Sequence, residues 1–314
     1  MSTAVTDARA QDTLGRRVSR FFFRHPGLGI FLLLTPPLLW LGIIYLGSLF
    51  ALLIQSFFSL DGFTGQVVRE FTLSTYLELL RPAHMDIILR TTVMAACVTV
   101  FAIFLAFPLA YFMARYATPR WRAFLYLAVL VPLWSSYLVR IYSWKLILAK
   151  EGIANWFLTQ IGLDPLLDLL LSLPVIGGPS LSFSAMGTFI VFVYIWLPFM
   201  ILPIFTALER VPQTLIEASS DLGAKPIATF RHVILPLALP GVIAGSIFTF
   251  SLTMGDFIIP QTFGNSSYFI GLAVLQNQGV AGNIPMAAAF TVVPIVVMAI
   301  YLTLAKRAGA FNAL

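Results

Sequence analysis

Six long apolar stretches alternate with short polar segments along the chain, at 28–57, 87–114, 124–148, 183–207, 237–257 and 285–304. Each has the roughly 20 residues that a helix needs to cross a bilayer. An even number of crossings brings the chain back to the face it left. The pattern predicts an all-α polytopic membrane protein with six transmembrane helices and both termini on one side.

Two further stretches are too polar to join this set. Residues 156–178, "WFLTQIGLDPLLDLLLSLPVIGG", are rich in leucine but contain Asp164, Pro165, Asp168 and Pro174. An ionised Asp in the hydrocarbon core costs roughly 2.5–3.5 kcal/mol even on a lenient insertion scale. Insertion would also invert everything downstream, so amphipathic helices along the membrane surface are expected here. Residues 59–86 predict one or two short surface elements.

Prolines interrupt several spans: Pro36, Pro37, Pro108, Pro132, Pro198, Pro203 and Pro240. Each removes a backbone donor and frees a carbonyl that protein or water must satisfy. Kinks at Pro198 and Pro203 would shape a conduit; ordinary proline usage in membrane helices accounts for them as well.

Composition agrees with the pattern. Hydrophobic residues make up 59% of the 314 and charged ones 10%, against about 25% charge in a soluble domain. The net charge of +6 forms no dense stripe that would mark a nucleic-acid surface, and no nucleic-acid partner is expected. It reports orientation instead. Arg9, Arg16, Arg17, Arg20, Arg24, Arg115, Arg120, Arg122, Arg210, Lys225, Arg231, Lys306 and Arg307 fall on the side of the termini. Only Arg69, Arg81, Arg90, Arg140, Lys145 and Lys150 fall on the other. Positive residues accumulate inside, so both termini should be cytoplasmic.

The expected organisation is a basic cytoplasmic segment at 1–27, a transmembrane domain at 28–304 with a cytoplasmic loop at 208–233, and a tail at 305–314. The apolar run after residue 27 is much longer than a signal-peptide core and reads as a retained helix. A single cysteine, Cys97, excludes an internal disulfide, and His25, His84 and His232 belong to separate segments, so no metal site is expected.

The polar loop "ERVPQTLIEASSDLGAKPIATFRHVILP" at 209–236 has its own local signals. Thr214 and Glu217 have capping-box spacing, which predicts a helix beginning at Thr214 and stabilised by Glu217. Gly223 suits a left-handed helix end, and Pro226 opens a second short helix ending near Arg231 and His232. Ala218, Ser219 and Ala224 permit close approach, while Leu215, Leu222 and Phe230 offer apolar anchors. A solvated connector is the alternative reading.

This loop resembles the motif of ABC importer permeases written EAA, three residues, G, nine residues, I, one residue, LP. The matching positions are Glu217, Ala218, Ser219, Gly223, Val233, Leu235 and Pro236, with Ser219 replacing the second alanine and Val233 the isoleucine. From about residue 28 onward the chain is similar to permeases of the spermidine/putrescine class, including "VPLWSSYLVRIYSWKLIL" at 131–148 and "SLTMGDFIIPQTFG" at 251–264.

The resemblance implies the type I importer fold in a bacterial inner membrane and transport of a polyamine or related small organic solute. It implies four kinds of partner: a second permease subunit, identical or related; two cytoplasmic ATPase subunits; an extracytoplasmic binding protein; and the solute. Glu217, Ala218, Ser219, Leu222, Gly223, Ala224 and Lys225 would form the coupling element received by an ATPase groove. The chain has no GxxxxGK[ST] phosphate loop, so ATP and Mg²⁺ belong to the partner and no cofactor is expected on this chain.

Asp256 lies about 20 residues beyond Pro236, hence roughly 30 Å along a helix and near the outer boundary. It either attracts a cationic solute or serves as a hydrogen-bonded structural Asp at the helix exit. Trp134, Tyr137, Tyr142, Trp144 and Trp196 could stack against an organic amine or anchor the interface, while Arg140 and Lys145 would repel an amine unless paired with carboxylates or turned away. Other solutes, such as an opine or amino-acid derivative, fit the same frame. An ion-coupled carrier is the runner-up mechanism, against which stand the lack of an inverted repeat and of central acidic residues. No convergent catalytic cluster points to an enzyme.

Overall fold

The computed structural model describes residues 22–24, 26–263 and 269–307. The described residues fall into two compact units, divided between Ile54 and Gln55. Most of the expected basic segment 1–27, and the tail beyond residue 307, lie outside the described residues.

The first apolar stretch is helical in three consecutive pieces: α1 (Pro26–Leu39), a π-helical run Trp40–Leu46, and α2 (Gly47–Gln55). Pro36 and Pro37 carry no amide hydrogen to return to the carbonyls one turn back. The wide π turn directly after them is a common way to accommodate such a defect.

The second part opens with a two-stranded antiparallel ribbon, β1 (Ser59–Leu60) and β2 (Val67–Val68), paired Ser59 to Val68 and Leu60 to Val67. A short helix α3 (Ser74–Leu79) leads into α4 (Pro82–Arg115). With 34 residues, α4 is about 51 Å long and exceeds the hydrocarbon thickness of about 30 Å. Then follow α5 (Pro119–Trp134), α6 (Tyr137–Ile147), α7 (Ile153–Gln160), α8 (Asp164–Ser172) and α9 (Ala185–Arg210).

After the polar loop come α10 (Gln213–Asp221), α11 (Pro226–Thr229), α12 (Leu235–Gly255), α13 (Ile258–Phe263), α14 (Ile270–Gly279) and α15 (Ile284–Arg307). The core of this part is the mutual packing of α4, α9 and α12. A stripe of Ala102, Ala106 and Ala110 on α4 meets Met200, Ile204 and Leu208 on α9 and Ala238 on α12. Small residues matter because lipid offers no hydrophobic drive between helices, and close backbone approach supplies the dispersion contact instead. At Gly241 the approach is closest: a Cβ there would stand 2.5 Å from Ala207 Cβ and 2.5 Å from Pro203 O.

Five of the expected spans are long, apolar helices, and the third differs. Instead of one helix over 124–148, α5 and α6 meet at an elbow of 97°. Ser135 and Ser136 take extended backbone angles, with ψ of 151° and 133°. Ser135 also donates from both N and Oγ to Pro132 O, at 3.3 and 2.8 Å, closing the end of α5. A hydroxyl that competes for backbone acceptors can end a helix without lowering hydropathy much. Hydropathy along 124–148 therefore continued across the break.

The leucine-rich stretch 156–178 holds α8 and the second half of α7, both short helices. Leu158, Leu167 and Leu171 pack on Ile141, Val191 and Phe192. Pro198 and Pro203 are accommodated within the single helix α9, where Pro198 is buried.

Candidate functional site

The polar loop is built differently from its capping-box expectation. The N-cap of α10 is Pro212, with φ −63° and ψ 135°, and no side chain caps this end. The ring presets the entry angle, so the helix starts one residue early and Thr214 already belongs to its first turn. A helical Thr214 cannot take the cap role, and Glu217 is exposed rather than folded back onto the backbone.

The other end matches its sequence signal. Gly223 has φ +78°; its N–H donates to Ser220 O at 2.9 Å, and Ala224 N donates to Ser219 O at 3.1 Å. These are the paired bonds of a Schellman end, which needs the left-handed backbone that glycine adopts without strain. Nothing lies within 4 Å of a Cβ built on Gly223, so the requirement is conformational alone.

The expected second helix does not stop near His232. From α11 the chain passes through a π turn, Phe230–Ile234, directly into α12, giving one rod over Pro226–Gly255. Leu235 N–H donates to Phe230 O, five residues back. Pro236 has no amide hydrogen for the next rung, and the widened turn meets it without breaking the axis. Ser219 Oγ and Thr229 Oγ1, 2.9 Å apart, fasten α10 to the base of this rod.

The loop thus presents one side outward. Leu222 is 88% exposed and Ile227 72%, with Glu217, Ala218, Gly223 and Lys225 also exposed and Ser219 and Ala224 half-buried. Phe230, expected among the outward anchors, turns inward. Its ring meets Phe107 and Tyr111 of α4 edge-on, at 5.7 and 5.9 Å between centroids.

A second cluster forms beyond the elbow. The Tyr137 hydroxyl, on the first residue of α6, donates to Asp256 Oδ2. Asp256 follows α12 and accepts from Ile259 N at 3.0 Å, satisfying an amide in the first turn of α13. Tyr137 stacks on Trp196 of α9 at 5.8 Å and 25°, and Arg140 lies over the Tyr137 ring at 5.9 Å. The structure gathers Tyr137, Trp196 and Asp256 from three separate spans; Trp134, before the elbow, is 78% exposed.

Arg115 had no sign of a local role in the sequence beyond orientation, and Arg140 only that of a like charge complicating a cationic path. Arg115 ends α4 and donates from Nη2 to Leu208 O and Val211 O, at 2.8 and 2.7 Å. Arg140 joins the aromatic cluster. Their partners lie far along the chain or on another helix, which spacing does not reveal; a basic residue in the last turn of α4 was the one available signal.

Residues 92–309 match the family described as "Binding-protein-dependent transport system inner membrane component". Over its full length of 314 residues the chain is 56% identical to all of an inner membrane ABC transporter permease protein, YdcU, of Escherichia coli (strain K12), whose name specifies no solute. It is 32% identical over 76% of its length to 83% of the spermidine/putrescine transport system permease protein PotB of the same organism. A crystal structure of a bacterial ABC transporter involved in import of the acidic polysaccharide alginate has a chain that aligns with a TM-score of 0.67. That alignment covers 93% of this chain and 99% of the other at 15% identity, a likeness of fold alone.

Proposed function

Because this chain belongs to the family of binding-protein-dependent transport system inner membrane components, we propose that it carries a polyamine of the spermidine or putrescine kind. The chain is a multi-pass inner-membrane permease subunit of an ABC importer, supplied with a small solute by an extracytoplasmic binding protein. It is not itself an enzyme: ATP is hydrolysed on a separate ABC ATPase. The assembly is of the usual importer type, with a permease pair, an ATPase pair and the binding protein.

In the proposed arrangement both termini and the loop at 208–233 face the cytoplasm. Glu217, Ala218, Ser219, Leu222, Gly223, Ala224 and Lys225 form the element that enters an ATPase groove. Leu222 supplies an exposed apolar contact at the end of a closed helix, and the continuous rod over Pro226–Gly255 carries its displacement into the bundle. Closure of the ATPase pair would then turn the bundle largely as a rigid body. The second permease is a related chain.

The observation that carries the solute assignment is the Tyr137, Trp196 and Asp256 cluster at the outer end of the fifth span. A carboxylate beside stacked aromatic faces favours an organic ammonium group, and the spermidine/putrescine relatives point to the same solute class. Trp134 stands at the entrance to this path.

Arg140 favours a second reading. Its guanidinium stands over the same Tyr137 ring, so a solute bearing a carboxylate beside its amine, such as an opine or amino-acid derivative, has a partner for each charge. Proteoliposomes containing the permease pair, the ATPase and the binding protein test both. ATP-dependent uptake of putrescine or spermidine is expected. Uptake of the zwitterion alone selects the second reading, and ion-driven uptake by the isolated chain overturns both.

A further inference from the structure

Helix α9 ends at Arg210, one short link before α10, and its last carbonyls would lack partners in any isolated helix. Arg115 reaches them from the end of α4, 93 and 96 residues earlier in the chain, with one nitrogen bonding both Leu208 O and Val211 O. Its positive charge also faces the negative pole of α9.

The end of α4 is held in turn by Arg122 from the first turns of α5. Its Nε donates to Met113 O at 3.1 Å, its Nη2 to Ala114 O at 3.2 Å, and its Nη1 faces Glu209 Oε1 at 3.5 Å. Three helix ends therefore share one cationic knot. The chain leaves it through buried Val211 and exposed Pro212 to begin α10.

We propose that Arg115 and Arg122 are positioning residues for energy coupling: they lock the root of α10 to the ends of α4, α5 and α9, so that movement of α10 displaces the bundle. Side-chain donors to backbone carbonyls suit this task because they hold helix ends whatever the neighbouring side chains do. Without the knot, α10 would pivot about the Val211–Pro212 link, and only the α12 rod would carry its displacement into the bundle. The inference rests on the reading that α10 meets the ATPase.

The test uses the assembled transporter in proteoliposomes and compares ATP hydrolysis with and without its binding protein. That stimulation must pass from the outer face through the bundle to α10. Arg115→Met keeps the aliphatic stem but removes the donors, and Arg122→Lys replaces three donor nitrogens by one. Both are expected to retain the unstimulated rate and lose about tenfold in stimulation, within the usual range of coupling factors. Arg115→Lys should recover part of it, since one nitrogen makes both wild-type bonds.

Wild-type stimulation in Arg115→Met and Arg122→Lys overturns the proposal, as does a parallel fall of both rates, which would mark a general loss of stability. If Arg115→Met does not assemble, half-exposed Arg122 decides the matter. Leu222→Asp tests the underlying reading separately. Intact assembly and stimulation in that variant would show that the ATPase grips elsewhere, whatever the arginine variants do.

Discussion

The Tyr137 hydroxyl donates to the Asp256 carboxylate, joining the first residue beyond the elbow of the third span to the exit of the fifth. The bond spans 119 residues of chain and links two places where a membrane helix stops. Asp256 also accepts from the first turn of α13, so one carboxylate holds three elements in register.

Asp256→Asn is the informative substitution there. The amide oxygen can keep the bond from Ile259 N and the amide nitrogen can donate to the Tyr137 oxygen with the bond reversed, so the fold should change by less than about 1 kcal/mol while the negative charge disappears. For a cationic solute the apparent KM for uptake should rise severalfold with assembly unchanged. Unchanged kinetics in the reconstituted transporter would assign Asp256 a purely structural role.

At Gly223 the cost of substitution is set by the backbone. With φ at +78° and open space around it, Gly223→Asn should be tolerated, whereas Gly223→Val should cost more than the roughly 1–2 kcal/mol of a left-handed L-residue. Co-purification of the ATPase with the permease should fall in the order Gly, Asn, Val. Equal recovery across the series would remove the turn from the coupling argument.

Gly241 makes the opposite demand, for space. An added methyl would meet Ala207 Cβ and Pro203 O at 2.5 Å, forcing α9 and α12 apart at a cost of about 1–3 kcal/mol. Gly241→Ala should lower the thermal midpoint of the purified complex in detergent, and Ala207→Gly in the same chain should restore part of it. Rescue stays partial because Pro203 O cannot be trimmed.

The turn between β1 and β2 should respond to acid. Asp61 accepts from Phe63 N at 2.8 Å and Thr64 N at 3.3 Å, and these bonds hold its carboxyl below the ordinary value. A depressed folded-state pKa contributes stability that is fully present above the unfolded value of about 3.9 and is lost as pH falls through the folded value. Hydrogen exchange of the peptide at 57–73 should quicken relative to its intrinsic rate across that window. Asp61→Asn should show no such step.

Local chemistry made parts of the loop readable before its structure. Gly223 followed by Ala224 and Pro226 spelled a helix end and a new beginning, because those residues act through their own backbone. Thr214 and Glu217 had an equally good spacing and gave the wrong answer. Pro212 fixed φ two residues earlier and moved the helix start, so spacing that depends on register failed with the register.

The break within the third span escaped notice for a related reason. Hydropathy sums side chains over a window, and two small hydroxyl residues, Ser135 and Ser136, scarcely change the sum while ending the helix between Trp134 and Tyr137. The fifth span shows the converse. Polar residues at Arg231 and His232 suggested an interruption, yet the backbone bonds run on through a π turn because polarity does not by itself prevent helix formation.

By itself the sequence determined that this is a helical membrane protein with a structured polar loop, because lipid demands long apolar helices and glycine and proline act on their own dihedrals. Which groups meet was decided only by tertiary structure: Tyr137 with Asp256, Phe230 with Tyr111, Arg115 with the carbonyls that end α9. Each pairing joins residues from separate elements of the fold, and their proximity is fixed by how those elements pack, a matter of shape that one-dimensional spacing does not encode.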